Sequence, residues 1–245
     1  MEKLLNIKEA AEFLNVSEMT IRRWTNGGKL RCFRVGGKRE RRFKFQDLHA
    51  YIEGRADSPN KRTASLGIKG LTAPDGSHVT HLSLNAQESV EVGASYLLEG
   101  LANDETVLLV APDVSAEHIL SAVRDRGGDV AALRKKGKLV LSQGATKPET
   151  MANFISQVAV KAMGRFRLFG DMSWTQHAGW SLEALHELEN ITNASLGKGG
   201  KLYLCQYPLW QSSGRKVVMA IETHDHTLFR GDLRESPFFR EPFGV

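Results

Sequence analysis

From residue 78 onward the chain alternates short, almost wholly apolar runs with longer amphipathic ones, and this alternation limits the fold more than any other feature. Residues 78–84, 106–111, 138–142, 166–170, 201–206 and 228–229 read as strands, and residues 87–101, 116–126, 149–163, 182–194 and 216–222 as helices. Strands that lack an in–out polar alternation must be covered on both faces, which predicts an α/β domain built on a mostly parallel sheet. Ligands of such sheets bind beyond the carboxyl ends of the strands. That rule singles out Asp113, Gln143, Asp171, Trp174, Gln206 and Tyr207 as candidate pocket residues. No apolar run approaches the roughly 18 to 20 residues of a membrane span, and the start, Met1-Glu2-Lys3, lacks the order of a signal peptide, so the expectation is a cytoplasmic protein with no membrane partner. Cys32 and Cys205 stand far apart without a CxxC neighbour, which argues against a disulfide framework or a Cys-rich zinc module.

Charge divides the chain in two. The net charge is +5, yet residues 1–62 hold 15 Lys and Arg against 8 Asp and Glu, whereas residues 63–245 hold 18 against 20. Arg34, Lys38, Arg39, Arg41, Arg42 and Lys44 crowd into one short stretch opposed only by Glu40. Clustered cations gain affinity by displacing counterions from phosphates, so a polyanion is the natural partner. Residues 54–77 are rich in Gly, Pro, Ser, Asp and Lys, and read as a connector. The expected layout is a head over residues 1–54, a linker over 55–74 and a larger domain over 75–245.

Within the head, Asn6 and Glu9 have capping-box spacing ahead of Ile7, Ala10, Ala11 and Leu14 at helical intervals. Asn15-Val16-Ser17 breaks the pattern, and Ser17 can cap a second helix with Ile21 and Trp24 inward and Met19, Arg22, Arg23 and Asn26 outward. Two short helices with a tight break form a helix-turn-helix. Two β-prone runs, 30–35 and 41–45, then predict a hairpin wing, and residues 46–53 a closing helix through Leu48, Tyr51 and Ile52. The candidate DNA contacts are Ser17, Met19, Thr20, Arg22 and Arg23 on the second helix, and Arg34, Lys38, Arg39, Arg41 and Arg42 on the wing. Phe13 and Trp24 read as core. The segments NIKEAAEFLNVSEMTIRRW and GGKLRCFRVGGKRERRFKFQDLHAYI, spanning residues 5–52, resemble the MerR-like, excisionase-type winged helix-turn-helix family. The resemblance implies sequence-specific binding of double-stranded DNA.

In the larger domain GxxxxGK[ST], GxSxG and HExxH are all absent, so the sequence supports no catalytic residues, no cofactor and no enzyme. The GKGG at 197–200 precedes a strand and reads as a helix-ending turn. His78 and His81, three apart on one strand, face opposite sides and suit pocket or hydrogen-bonding roles better than joint metal ligation. Trp174 and Trp180 suit either an apolar ligand wall or the core, and Cys205 reads as a buried strand residue. His224-Asp225-His226 invites a metal reading, but its place between a helix and a strand favours a polar turn, so no metal site is expected. The segments GSHVTHLS, YLLEGLANDETVLLVAP, RLFGDMSW, LCQYPLW and THDHTLFRGDLRESPFF, within residues 76–239, jointly resemble the MEDS sensory domain, itself similar to a RecA/KaiC core that has lost its nucleotide loop. Relatives often carry Cys and an aromatic pair where this chain has Thr80, Leu82 and Ser83. The resemblance implies a sensor for a small signal molecule, a hydrocarbon derivative or a nucleotide. The combined expectation is a transcriptional regulator, acting as a homodimer or higher homo-oligomer, whose sensory domain modulates DNA binding. Two alternatives stand beside it: a nucleotide-binding switch or residual ATPase localised to DNA, and an architectural, excisionase-like protein with an assembly domain.

Overall fold

In the computed structural model, which describes residues 4–26, 29–36, 40–52, 63–162, 164–196 and 199–239, the chain divides into two units, 1–62 and 63–245. The first unit begins with reciprocal capping. The Asn6 side chain accepts from the backbone N–H groups of Lys8 and Glu9, at 2.9 and 3.0 Å, while the Glu9 carboxylate accepts from the Asn6 N–H at 2.7 Å. This starts α1 (Ile7–Phe13). Asn15, in the left-handed region at φ +50°, turns the chain, and the Ser17 hydroxyl accepts from the Thr20 N–H at 3.1 Å to start α2 (Glu18–Asn26). Strands β1 (Phe33–Val35) and β2 (Glu40–Arg42) pair antiparallel with Arg34 opposite Arg41, and α3 (Phe45–Ile52) follows. Ala10, Ala11, Ile21, Leu30, Phe43 and Leu48 form the core, edged by Trp24 on Tyr51 with ring centroids 4.9 Å apart.

The head departs from the sequence reading in detail. Its strands are three residues each, shorter than the β-prone runs. Phe13, expected in the core, is 36% exposed and lies against Phe45 at the edge, and Ile52 is also exposed. A core this small covers few large side chains on all sides. Lys38 and Arg39 lie outside the described residues.

The second unit opens with an antiparallel hairpin, β3 (Thr63–Ser65) and β4 (Thr72–Pro74). Composition assigned most of this stretch to a linker, yet Ala64, Leu66, Ile68 and Ala73 are buried in the unit's core. The remaining elements run β5 (His78–Ser83), α4 (Ala86–Ala102), β6 (Thr106–Val110), α5 (Asp113–Asp125), α6 (Val130–Lys135), β7 (Leu139–Ser142), α7 (Pro148–Lys161), β8 (Phe166–Asp171), α8 (Trp174–His177), α9 (Leu182–Leu196), β9 (Lys201–Pro208), α10 (Gly214–Thr223), β10 (His226–Phe229) and β11 (Asp232–Glu235). A seven-stranded sheet has the order β11-β10-β5-β9-β8-β6-β7, parallel throughout except for the edge pair β10–β11. Alternate residues of each strand serve opposite faces. Val107, Leu109, Leu202 and Leu204 pack with α4 and α5, while Leu108, Val110, Tyr203 and Cys205 pack with α7, α9 and α10. The sheet and its main helices follow the expected α/β pattern; α6, α8, β11 and the hairpin are too short to show a period in sequence.

One charged side chain sits in the middle of this apolar sandwich. Arg167 on β8 is buried and donates from Nε to Glu105 at 2.7 Å, from Nη1 to the Tyr96 carbonyl at 3.3 Å and from Nη2 to the Ser65 carbonyl at 3.0 Å. Its guanidinium lies 4.6 Å from the centre of the Tyr96 ring. A Cβ at Gly100 would approach the Arg167 side chain to 2.8 Å, so α4 passes this point with glycine. Arg167 thereby ties the hairpin, α4 and the sheet together. Without it Glu105, buried, keeps only its 3.1 Å bond from Arg165 and the Tyr96 and Ser65 carbonyls lose their donor, so Arg167→Ala is expected to destabilise this unit by about 3 kcal/mol, read as a lower urea midpoint by tryptophan fluorescence. An unchanged midpoint would contradict this account.

Candidate functional site

The head carries a basic hollow of about 450 Å³, bordered by Asn6, Ile7, Arg22, Arg34, Glu40, Arg41 and Arg42. Arg34 and Arg41 face each other across the hairpin, where like charges oppose pairing. The sequence keeps them together because Arg41 is anchored elsewhere: its Nε donates to Thr25 Oγ1 at 3.0 Å and its Nη2 to Asn26 Oδ1 at 2.6 Å. Those bonds join the wing to the end of α2. Arg42 pairs with Glu40 at 2.8 Å and Arg22 with Glu18 at 3.7 Å, both at the surface, where such pairs are weak and give way to a phosphate. Of the expected contacts, the structure therefore gathers Arg22, Arg34, Arg41 and Arg42 around one hollow. Met19, 78% exposed, and the exposed Arg23 stand on α2 outside it, and Ser17 and Thr20 bond to each other at its N-terminus. Thr25 was missed by the sequence reading, since its bond to Arg41 spans sixteen residues.

The second unit has a cleft of about 570 Å³ beyond the carboxyl ends of its strands. Pro112 to Ser115 after β6, Gln143 after β7, Asp171, Ser173 and Trp174 at the end of β8, and Pro208, Trp210 and Gln211 at and after the end of β9 contribute to its lining, together with Ala86, Ser89, Val90, His118 and His177. Asp171 accepts from the Ser115 hydroxyl and, at 3.1 Å, from the Ser173 N–H. Gln143 donates to Asp113 at 2.5 Å. Behind this wall Lys216 is buried, donating to the Met172 carbonyl at 3.0 Å and to Thr175 Oγ1 at 3.2 Å. Burial lowers its pKa, against the raising influence of Asp171 and Glu189. Trp174 meets Trp180 edge-on at 4.9 Å, and the Trp180 indole donates to the Ala145 carbonyl at 3.0 Å.

Four of the eight expected pocket residues border this cleft: Asp113, Gln143, Asp171 and Trp174. Register explains the rest. His78 begins β5 opposite Tyr203, at the far end of the sheet from the cleft. His81 bonds through Nδ1 to Gln206 Oε1 at 2.9 Å, and its pKa is lowered by burial against the opposing pull of Gln206 and Glu88. That pair is enclosed in the sheet, with His81 reaching a separate hollow beside the β3–β4 hairpin and α4. The Tyr207 hydroxyl donates to Glu189 on α9, and burial raises the tyrosine's pKa. Ser115, His118, His177 and Trp210 went unnoticed in sequence because each lies on a helix or turn whose orientation depends on the folded sheet.

A helix-turn-helix head followed by this α/β unit places the chain in a known class. Residues 4–56 match the helix-turn-helix domain family, and residues 77–225, well over half of the chain, match the MEDS family, the methanogen/methylotroph, DcmR sensory domain. The chain belongs to the MEDS family. It is 32% identical over 251 residues to the transcriptional repressor DcmR of Methylorubrum extorquens (strain DSM 6343 / CIP 106787 / DM4), with 96% of this chain and 94% of that protein covered.

The cleft wall also yields a test. Gly144 has φ +99°, and a Cβ there would fall 2.2 Å from the Trp174 ring. Gly144→Ala is expected to displace the Trp174–Trp180 pair and destabilise the unit by about 1–3 kcal/mol, with altered near-ultraviolet circular dichroism. A variant with the wild-type spectrum and melting temperature would show that the ring does not rest on this loop.

Proposed function

We propose that this chain is a DNA-binding transcriptional regulator whose basic head grips double-stranded DNA and whose strand-end cleft takes a small-molecule signal that modulates the grip. The observation that carries the DNA part is the convergence of Arg22, Arg34, Arg41 and Arg42 on one hollow between α2 and the wing. Four guanidiniums so placed suit phosphates and, from α2, guanine edges. Family membership and similarity to a named repressor along nearly the whole chain support the same reading, with repression as the outcome. Paired heads on adjacent half-sites would supply the affinity that one small head lacks, and the signal would act by changing self-association of the sensory unit. No helix among the described residues is long and apolar enough to cross a membrane, which fits work on cytoplasmic DNA.

Gel-shift titration of the full-length protein on the DNA upstream of its own gene tests the head. Arg34→Ala is expected to weaken binding on every sequence and to reduce the slope of log K against log salt by about 1. Arg22→Ala is expected to cost about 1–3 kcal/mol and to relax sequence preference. Binding unchanged by both substitutions would refute the assignment.

The cleft combines Trp174 and Trp210 with Asp113 and Asp171, and its described lining contains no lysine or arginine. It suits a small organic molecule that is neutral or offers a hydrogen-bond donor better than a nucleotide. Thermal-shift screening of the full-length protein with one- and two-carbon halocarbons, short alcohols and ATP separates these classes. Stabilisation by an organic probe, lost in His118→Trp while ligand-free DNA binding persists, is expected. Stabilisation by ATP alone would favour the nucleotide switch instead.

A further inference from the structure

On the face of the sheet covered by α9 and α10, four side chains from distant parts of the chain turn inward: His78 at the start of β5, Glu189 on α9, Cys205 in the middle of β9 and His224 just after α10. All four are buried, and their potential ligand atoms lie within 4.8 Å of one another. The hydrogen bonds around them fix which atoms face the centre. His224 Nδ1 lies 2.7 Å from the Ala220 carbonyl, which can only accept, so Nδ1 carries the proton and Nε2 keeps its lone pair. Asn193 donates its amide N–H to the Thr223 carbonyl at 2.7 Å, which orients its Oδ1 toward His78 Nδ1 at 2.8 Å. His78 therefore also holds its proton on Nδ1 and turns the Nε2 lone pair inward, 3.3 Å from Cys205 Sγ and 3.5 Å from Glu189 Oε2. Tyr207 occupies Glu189 Oε1, leaving Oε2 for the cluster. His224 Nε2 lies 3.8 Å from that oxygen and has no hydrogen-bond partner, although fully buried.

From this convergence we infer a divalent transition-metal site with the ligand set His78 Nε2, His224 Nε2, Glu189 Oε2 and Cys205 Sγ, matched to Zn²⁺. Zinc–ligand bonds of about 2.0–2.3 Å at tetrahedral angles put the ligand atoms roughly 3.3–3.8 Å apart. The 3.3 and 3.5 Å separations at His78 fall in that interval, the 3.8 Å between His224 Nε2 and Glu189 Oε2 exceeds the nitrogen–oxygen spacing by a few tenths of an ångström, and all pairs lie within 4.8 Å. Anionic carboxylate and thiolate neutralise the dication, so the metal complex carries no net charge into the core. Two imidazoles whose outer nitrogens donate to oxygen acceptors are the usual setting of zinc-bound histidine. Burial pushes the Cys205 thiol and the Glu189 carboxyl up and His224 down, which disfavours charges here one at a time. Four protein ligands leave no open position, so the site is a structural or sensory clasp joining β5, α9, β9 and the end of α10, separate from the signal cleft.

The test uses full-length protein stripped with a chelator, checked for fold by circular dichroism and titrated with Co²⁺. One equivalent per chain is expected, with the intense visible bands of tetrahedral Co²⁺ and a near-ultraviolet thiolate-to-metal band that Cys205→Ser removes. Asn193→Ala, which deletes the acceptor orienting His78 together with the bond to the Thr223 carbonyl, is expected to weaken binding about 10- to 100-fold, while His186→Gln on the exposed face of α9 leaves it unchanged. Should the Cys205 variant not fold, X-ray absorption at the zinc edge of the wild-type protein decides, with one sulfur and two imidazoles expected. A folded wild-type chain without the thiolate band at saturating Co²⁺, or a zinc edge without sulfur, overturns the assignment.

Discussion

The strands at the centre of the sheet are sealed on both faces, yet they carry polar side chains: His78, Thr80, His81 and Ser83 on β5, Arg167 and Asp171 on β8, Gln206 on β9. Water cannot serve these groups, so each must find a partner within the protein or remain costly. That requirement organises the second unit. Glu105, Tyr96 and Ser65 answer Arg167, and in doing so bind the first hairpin and α4 to the sheet. Ser115 and the Ser173 N–H answer Asp171, which holds the start of α5 at the cleft. Ser89 answers Ser83 at 2.8 Å. The internal answer is incomplete at Thr80 Oγ1, Gln206 Nε2 and His224 Nε2, which are buried without a hydrogen-bond partner.

The same requirement explains how much could be read in advance. The period-free apolar runs foretold the parallel sheet because burial on both faces is a property of each strand alone. The head was legible for a similar reason: its capping box, its Ser17 cap and its arginine clusters are local, and the structure contains the first two at hydrogen-bond distance. The hairpin at 63–74 escaped because its strands are only three residues long and are joined by a turn holding Gly67 and Gly70, and a Gly-Ser-Pro composition describes a connector equally well. His224 was misplaced because a His-Asp-His triplet after a helix has the composition of an exposed turn. Its burial depends on His78, far away in sequence, whose ring lies 3.9 Å from it.

Register corrected the pocket more than composition did. A parallel strand has one productive end, and a residue's position along it decides whether it can reach a ligand. In β5 and β9 the pairing runs from His78 opposite Tyr203 to Ser83 opposite Pro208, so only the last residues open onto the cleft. Gln206, two positions short of that end, turns to His81 instead. Sequence analysis locates strands to within a few residues, and on a six-residue strand that uncertainty spans the difference between cleft, interior and opposite end.

The chemistry of the cleft bears on the signal proposed for it. In nucleotide-binding α/β units the turn after a strand supplies backbone N–H groups and a lysine to the phosphates. One strand-to-helix turn at this cleft is Ala111-Pro112-Asp113, where proline has no N–H to offer and its carbonyl is already engaged by the Ala116 N–H at 2.8 Å. The nearby Lys216 faces the wall, bonded to Met172 and Thr175, and not the cavity. Asp113 and Asp171 would each oppose an anionic oxygen at 4 Å by on the order of 4 kcal/mol in a partly screened site, with no lysine or arginine among the described lining residues to offset them. A neutral molecule meets no such opposition, gains contact with Trp174 and Trp210, and can donate a hydrogen bond to either carboxylate. A strand-end cleft lined by two carboxylates and two indoles, with no lysine or arginine among its described lining, is thus matched electrostatically to a neutral molecule better than to a phosphate.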